Sequence, residues 1–285
     1  MQNTKKLANN HYYGYKTVVY IVSILLTILS ILPFWIMIIN STRSTTEIQG
    51  QAVGLIPSKY LFNNLKILTG KSFEPITGLI NSAIVSVFGT ACNIYFSSLT
   101  AYALYAYEWK LRDAMFKFIM GVMMIPAQCT VIGFMQMCYT LGATNNLLML
   151  ILPSIASPMT VFFMRQYLQS SLSMEIVQSA RIDGAGEFRT FNQIVLPIMK
   201  PAMATQAIFG FVASWNNLFL PSILLTEDEK YTMPVMVSLL KGDIYKTEYG
   251  SIYLGLTLTV LPLIIIYLAL SKFIIAGVAL GGVKD

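Results

Sequence analysis

Six long apolar runs set the problem this chain has to solve. They fall at residues 17–39, 76–102, 114–139, 147–164, 202–225 and 252–275. Each can cross the roughly 30 Å hydrocarbon core of a bilayer, which takes about 20 helical residues. In hydrocarbon every backbone N–H and C=O must be satisfied within the protein, so such runs fold as helices. The fourth run is short and carries Pro153 and Pro158, which predicts a kink or a tilt. Only 11% of the 285 residues are charged, against about 25% in a soluble domain. The fold class that follows is an all-α polytopic membrane protein with six transmembrane helices.

The first run follows Lys5, Lys6 and Lys16, as a secretory signal would. It is too long for a signal core and no small-residue cleavage site follows, so a retained helix is expected. Lys and Arg set the orientation. With the N-terminus inside, seven of the 19 lie outside (Arg43, Lys59, Lys66, Lys71, Lys230, Lys241 and Lys246) and the other 12 inside. The chain then reads as a cytoplasmic tail 1–16, a first helix 17–39, an extracytoplasmic loop 40–75, a five-helix core 76–275 and a cytoplasmic tail 276–285. The core contains one long cytoplasmic loop, 165–201. The net charge of +6 does not point to nucleic acid, because the basic residues are dispersed near the span ends rather than clustered with aromatics.

All 13 acidic residues fall outside the six runs. Ion-coupled carriers commonly hold carboxylates inside the membrane, which counts against a self-sufficient secondary carrier. A membrane-embedded hydrolase would need a base or a metal set there, and the single histidine, His11, lies in the N-terminal tail. Cys92, Cys129 and Cys138 lack metal-ligand spacing and read as small hydrophobes. Gly70-Lys71-Ser72 ends like a phosphate loop, but Leu65 stands where that motif needs a glycine. The chain by itself is expected to bind no nucleotide, cofactor or metal and to carry no catalytic group.

Against this background, residues 175–201 look soluble. Met174, Ile176, Val177, Ala180 and Ile182 form an apolar stripe on a short helix, with Gln178, Ser179, Arg181 and Asp183 interleaved. Gly184 can take a left-handed conformation and end that helix. A second helical run over 187–194 then meets Leu196-Pro197 and Lys200-Pro201, which are expected to stop it. Two readings fit: an amphipathic helix lying on the headgroups, or a segment that docks on a cytoplasmic partner.

The string Glu175, Gln178-Ser179-Ala180-Arg181-Ile182-Asp183-Gly184-Ala185, Ile194-Val195-Leu196-Pro197 and Pro201-Ala202 resembles the EAA loop of ATP-binding-cassette importer permeases. Other segments look like the sugar-importing permeases of the MalG type. These are Pro33-Phe34-Trp35, Glu47-Ile48, Asn81-Ser82, Ala101-Tyr102-Ala103, Ile125-Pro126, Phe162–Gln166, Trp215-Asn216 with Pro221, and Gly281-Gly282-Val283-Lys284. The resemblance implies a MetI-like permease bundle in the cytoplasmic membrane of a bacterium or archaeon, with both termini cytoplasmic. It implies a heterodimer with a second, MalF-type permease, two ATPase subunits that hold ATP and Mg, and an extracytoplasmic sugar-binding protein. It assigns ATPase coupling to Glu175, Gln178, Ser179, Ala180, Arg181, Asp183 and Gly184. The triplet that names the loop reads Gln178-Ser179-Ala180 here, an amide where the family has a carboxylate. The contact would be a neutral hydrogen bond, with Glu175 on the same helical face as a partial substitute.

The candidate substrate path is Ser214, Trp215, Asn216 and Asn217, about halfway along the fifth run, with Gln128 and Gln136 on the third. Polar side chains at that depth face the bundle interior or a water-filled cavity. A Trp beside amides suits a sugar, whose apolar face stacks while its hydroxyls need donors and acceptors. Interhelical hydrogen bonding is the other reading of the same residues, and the one expected of Asn81 and Asn93. Loop 227–250 is either a docking surface for the binding protein or a solvated connection. An importer of the same superfamily for a different solute remains the main alternative.

Overall fold

The structure, a computed structural model, describes residues 2–70, 73–240 and 248–282, without side-chain detail for 2–15, Ala127 and 269–282. Lys71, Ser72, Lys241, Tyr245, Lys246, Val283, Lys284 and Asp285 lie outside the described residues, and the side chains of Lys5, Lys6 and His11 are likewise not described. Among the described residues the chain is helical, without strands. It divides into two units.

The first unit is Met1–Phe73 with Leu240–Leu258. Helix α1 runs Gln2–Ser41, so the expected tail 1–16 is the start of a long helix. Nothing before Pro33 removes a helical donor, and propagation continues once a helix is nucleated. Residues Val18 to Ile31 expose their apolar side chains along α1, as a lipid-facing span would. The expected loop 40–75 is not a plain connection, since it contains α2 (Thr45–Gly50) and α3 (Leu61–Thr69). Ser44 and Glu47 close a capping box on α2, a signal present in the sequence as Ser-x-x-Glu.

Arg43 is 8% exposed and gives its guanidinium to Asn40 Oδ1 (3.0 Å), Gln51 O (2.8 Å) and Glu47 O (2.9 Å). Asn64 Nδ2 donates to the carbonyls of Ser41 and Arg43. A Cβ at Gly250 would lie 2.4 Å from the Arg43 carbonyl oxygen, so that close approach requires glycine.

The second unit is Glu74–Leu239 with Thr259–Asp285, and it is built around α4 (Pro75–Ala106). Fourteen of its residues are buried, among them Gly78, Asn81, Ser82, Ser86, Gly89, Ser97 and Ser98. Small side chains let neighbouring helices come close where no hydrophobic force drives them together. The third apolar run is not one helix. It forms α5 (Arg112–Val122) and α6 (Ala127–Thr140), separated at Met123 to Pro126. Pro126 has no N–H to return to residue 122, and α5 and α6, at 11 and 14 residues, are each too short to cross alone.

The fourth run bends as its prolines predict. Helix α7 (Leu148–Ile151) and a 3₁₀ turn, Leu152–Ile155, meet α8 (Pro158–Ser171) at 41°. The segment 165–201, expected to be a cytoplasmic loop, holds α9 (Met174–Ile182), α10 (Glu187–Thr190) and α11 (Leu196–Ile198). Helices α12 (Lys200–Trp215), α13 (Phe219–Leu224), α14 (Met233–Leu239) and α15 (Tyr249–Gly282) follow. The expected sixth run and the start of tail 276–285 are thus one helix to Gly282.

Among the described residues, four helical stretches are long and apolar enough to cross a membrane: Lys16–Ser41, Pro75–Ala106, Lys200–Leu224 and Tyr249–Leu268. The bent pair Leu148–Ile155 and Pro158–Ser171 makes a fifth if it is one span. Loop 227–250 is partly core. Met233, Val235, Met236 and Val237 of α14 are buried. Asn81 Nδ2 holds the carbonyls of Glu229 and Tyr231, and Met233 N donates to Ser82 Oγ. Asn81 is therefore structural, as expected.

Candidate functional site

The helix α9 is closed at both ends by its own sequence. Ser173 caps its start by accepting from Glu175 N at 3.3 Å, and Glu175 places a negative charge in the first turn, where the helix dipole favours it. At the other end Gly184 adopts φ +77°. Gly184 N donates to Arg181 O and Ala185 N to Ala180 O, the two bonds of a Schellman motif. Glycine reaches this conformation without the Cβ penalty, as the sequence pattern requires.

The expected apolar stripe divides. Val177 and Ala180 are buried, whereas Ile176 is exposed and Ile182 is 86% exposed, as is Phe188 at 72% on the following turn. Residues 176 and 182 lie six apart, more than a turn and a half, so they cannot share the buried face of a 3.6-residue repeat with both 177 and 180. Of the residues assigned to coupling, Glu175, Gln178, Ser179, Arg181, Asp183 and Gly184 are exposed and Ala180 is buried.

Arg181 is engaged within the loop rather than free. Its Nε pairs with Glu187 Oε1 at 2.8 Å, and its guanidinium lies 5.4 Å from the centroid of the Tyr107 ring. Glu187 also accepts from the phenols of Tyr107 and Tyr102. The Tyr107 hydrogen bond and then the Arg181 one hold the Glu187 carboxyl below its ordinary value. Desolvation and then that same bond push the Tyr107 phenol up, and the Glu187 partner raises Arg181. Tyr105 donates to Leu172 O at 2.7 Å. Three tyrosines at the end of α4 thus grip this segment where it begins and where it turns back. A cavity of about 460 Å³ opens beside this network, lined by Tyr105, Tyr107, Glu108, Arg112, Gln178 and Arg181 among others.

Leu196-Pro197 and Lys200-Pro201 do not end the second run as expected. Residues Phe191–Val195 widen into a π turn, and the helix continues through α11. A proline at 197 lacks the N–H for the carbonyl of Gln193 and crowds it, and the wider turn absorbs the mismatch. Pro201 sits in the first turn of α12, where a missing N–H costs nothing.

On the candidate path, Trp215 is 3% exposed. Its indole N–H donates to Thr259 O at 3.0 Å, and its ring stacks on Phe211 with centroids 5.6 Å apart. The ring face expected to meet a sugar is packed here, and the indole N–H is bonded within the protein. Asn216 and Asn217 are exposed where α12 stops and α13 has not begun. Ser214 approaches Gly89, whose missing Cβ would lie 3.8 Å from Ser214 Oγ and 3.2 Å from Ser154 Oγ. Ser154 Oγ itself donates to Gly89 O at 3.0 Å. Gln128 and Gln136 are both exposed on α6. Sequence reasoning passed over Tyr107 and the role of Glu187, since the hydrogen bond between them spans 80 residues and leaves no local pattern.

Among the described residues no three His, Cys, Asp or Glu side chains converge as metal ligands do. The chain matches the family described as binding-protein-dependent transport system inner membrane component over residues 93–279. It is 32% identical over 262 residues to the arabinooligosaccharides transport system permease protein AraQ of Bacillus subtilis, covering 91% of this chain and 92% of that one. It is 30% identical over 265 residues to the lactose transport system permease protein LacG of Rhizobium radiobacter, covering 93% and 95%. Its fold is similar to a chain in the crystal structure of a bacterial ABC transporter involved in the import of the acidic polysaccharide alginate. The TM-score is 0.78 at 22% identity, over 91% of this chain and 96% of that one.

Proposed function

This chain belongs to the family of inner-membrane components of binding-protein-dependent transport systems, and we propose that it is the permease subunit of an ABC importer for a sugar or oligosaccharide. Relatives along nearly its whole length are named for arabinooligosaccharides and lactose, which supports the carbohydrate class. In this reading ATP and Mg belong to two separate ATPase subunits, and this chain supplies the path and the coupling segment. It works beside a second, MalF-type permease and receives its solute from an extracytoplasmic binding protein. Six crossings with both termini in the cytoplasm are part of the proposal, α5 and α6 together forming a broken crossing.

The observation that carries the coupling assignment is α9 itself. It is capped at both ends and braced from within, yet it holds Ile176 and Ile182 out, with Phe188 just beyond. Large apolar side chains held out from a rigid element mark an interaction surface. A headgroup-lying helix would instead bury one continuous apolar face in lipid and need no internal bracing. For the path, the support is the break at residues 216–218. Non-helical backbone at membrane depth is tolerated where it is buried in protein or lines a water-filled cavity, and Asn216 and Asn217 are exposed at that point. ATP-driven closure of the ATPase pair would carry α9 with it and re-open the cavity outward.

Affinity purification of the tagged chain from native membranes, with mass spectrometry of what co-purifies, tests this. A second permease and an ATPase subunit are expected. Recovery of the chain alone after gentle solubilisation would return the segment to the interfacial-helix reading. Uptake of labelled sugars against amino acids and peptides by the recovered complex then separates a carbohydrate importer from a relative for another solute.

A further inference from the structure

The contacts around Glu187 go beyond what a docking helix needs. A helix that only bound a partner would require a rigid exposed face, which the Schellman turn and Ser173 cap already provide. Glu187 adds three further ties. It accepts from Tyr102 Oη at 3.4 Å and from Tyr107 Oη, both at the end of α4, and from Arg181 Nε at 2.8 Å, on the last turn of α9. Arg181 in turn lies over the Tyr107 ring. The carboxylate therefore bonds to both the end of α4 and the last turn of α9, in addition to the apolar packing of Val177 with Tyr102 and Ala106.

What lies along α4 gives the tie a destination. From Tyr102 the helix runs without a break back to Gly89. There it meets two interrupted spans: Ser154, in the 3₁₀ turn before the bend into α8, and Ser214, next to the break between α12 and α13. A displacement imposed on the end of α4 arrives where helical backbone is already interrupted and movement is least costly. Packed elements of this kind transmit displacement because they shift as bodies rather than deform continuously.

We propose that Glu187 is a positioning residue of the transport cycle: through Arg181 and the phenols of Tyr102 and Tyr107 it fastens α9 to α4, so that a movement of the coupling helix is delivered to the middle of the membrane. The proposal rests on the coupling role given to α9 above. Tyr105 supports the same joint by holding Leu172 O, and the aromatic faces of Tyr102 and Phe191 pack behind it. Glu187→Gln keeps an acceptor for the phenols and removes the charge that attracts Arg181. Tyr107→Phe keeps the ring under Arg181 and removes the phenol. Neither creates a cavity.

The test is hydrogen exchange by mass spectrometry on the complete complex, with and without ATP and vanadate, following residues 100–110 and 174–190. In the wild-type complex both segments are expected to change protection together when ATP and vanadate are added. In Glu187→Gln, and in Tyr107→Phe, residues 174–190 should still respond. The response of residues 100–110 should fall by about 2- to 30-fold, the range for mutations that modulate coupling between sites. A purely structural role predicts something different: faster exchange of both segments at rest, with the ATP-dependent change of 100–110 kept in proportion to that of 174–190. That result in both variants would overturn the proposal. Failure of the wild-type chain to recover an ATPase, or of residues 174–190 to respond in the wild type, would instead remove the coupling reading on which it depends.

Discussion

The left-handed turn at Gly184 can be tested as a conformational device separate from any packing effect. A Cβ built at residue 184 meets nothing within 4 Å, so substitution there introduces no clash. Only the backbone cost of φ +77° remains, about 1–2 kcal/mol for an ordinary L-residue. It is less for Asn, which visits this region, and more for a β-branched side chain. If the turn opens instead, the Gly184 and Ala185 amide bonds to Arg181 and Ala180 are lost, at about 0.5–1.5 kcal/mol each. The expected order of disruption is therefore Gly184→Asn, then Gly184→Ala, then Gly184→Val. A cost of 1–2 kcal/mol lowers the population of the docking-competent loop by about 5- to 30-fold. The assay is solute uptake by membranes carrying each variant, paired with recovery of the ATPase subunit on the tagged chain. Asn should retain most uptake, and Val should abolish it while the chain stays in the membrane. Equal activity of Val and Asn, or loss in Asn as severe as in Val, would refute the reasoning, because only the φ requirement distinguishes them.

Three further outcomes follow from the same geometry. Trp215→Phe should keep the stacking on Phe211 but lose the bond to Thr259 O, lowering stability by about 1 kcal/mol; transport KM should stay within about twofold, and a tenfold rise would restore Trp215 to the sugar path. Gly89→Leu should overpack against Ser154 and Ser214 at about 1–3 kcal/mol, with uptake lost before membrane insertion, whereas Gly89→Ala, whose Cβ falls 3.2 Å from Ser154 Oγ, should be far milder in a paired uptake and expression assay. Because Tyr107 and Arg181 hold the Glu187 carboxyl below 4.5, its stabilising contribution is fully present above that unfolded value and is lost as pH falls through the depressed one; the difference in melting temperature between wild type and Glu187→Gln should be flat across neutral pH and close only in acid.

How much of this was legible beforehand depended on whether the signal was local. Gly184 and the Pro153 to Pro158 bend are local: each is set by a backbone preference within a few residues, and each appears where its sequence pattern puts it. The sequence reading passed over the Ser44-x-x-Glu47 capping box, although it was equally local, because a long polar connection between apolar runs was read as a loop. The π turn at Phe191–Val195 required weighing a choice that propensity does not settle. A proline can end a helix or widen it, and burial of Phe191 and Val195 favours keeping the helix going. Trp215 is the opposite case. An aromatic beside two amides is a fair sugar signature, but whether its ring is free depends on Phe211 one turn away and on Thr259 in another helix.

The breaks in the apolar runs bear on function as well as on prediction. Hydropathy averages over about 20 residues and therefore reports a crossing whether or not the helix within it is continuous. Three runs here contain interruptions, at residues 123–126, 156–157 and 216–218. If these were tolerated defects, the residues beside them would be apolar and packed, leaving the freed backbone groups to neighbouring helices. At 216–218 two of the three are exposed asparagines, Asn216 and Asn217, and at 154 the serine side chain reaches across to the Gly89 carbonyl. Polar groups at these two places fit a polar solute passing nearby better than they fit lipid. The sharpest check is Asn216→Leu with Asn217→Leu, which should leave a well-assembled complex, since neither side chain is buried, yet lower uptake by about tenfold or more through loss of hydrogen-bonding groups a polar substrate must exchange for water. Full transport by that double variant would show the break to be a matter of packing alone.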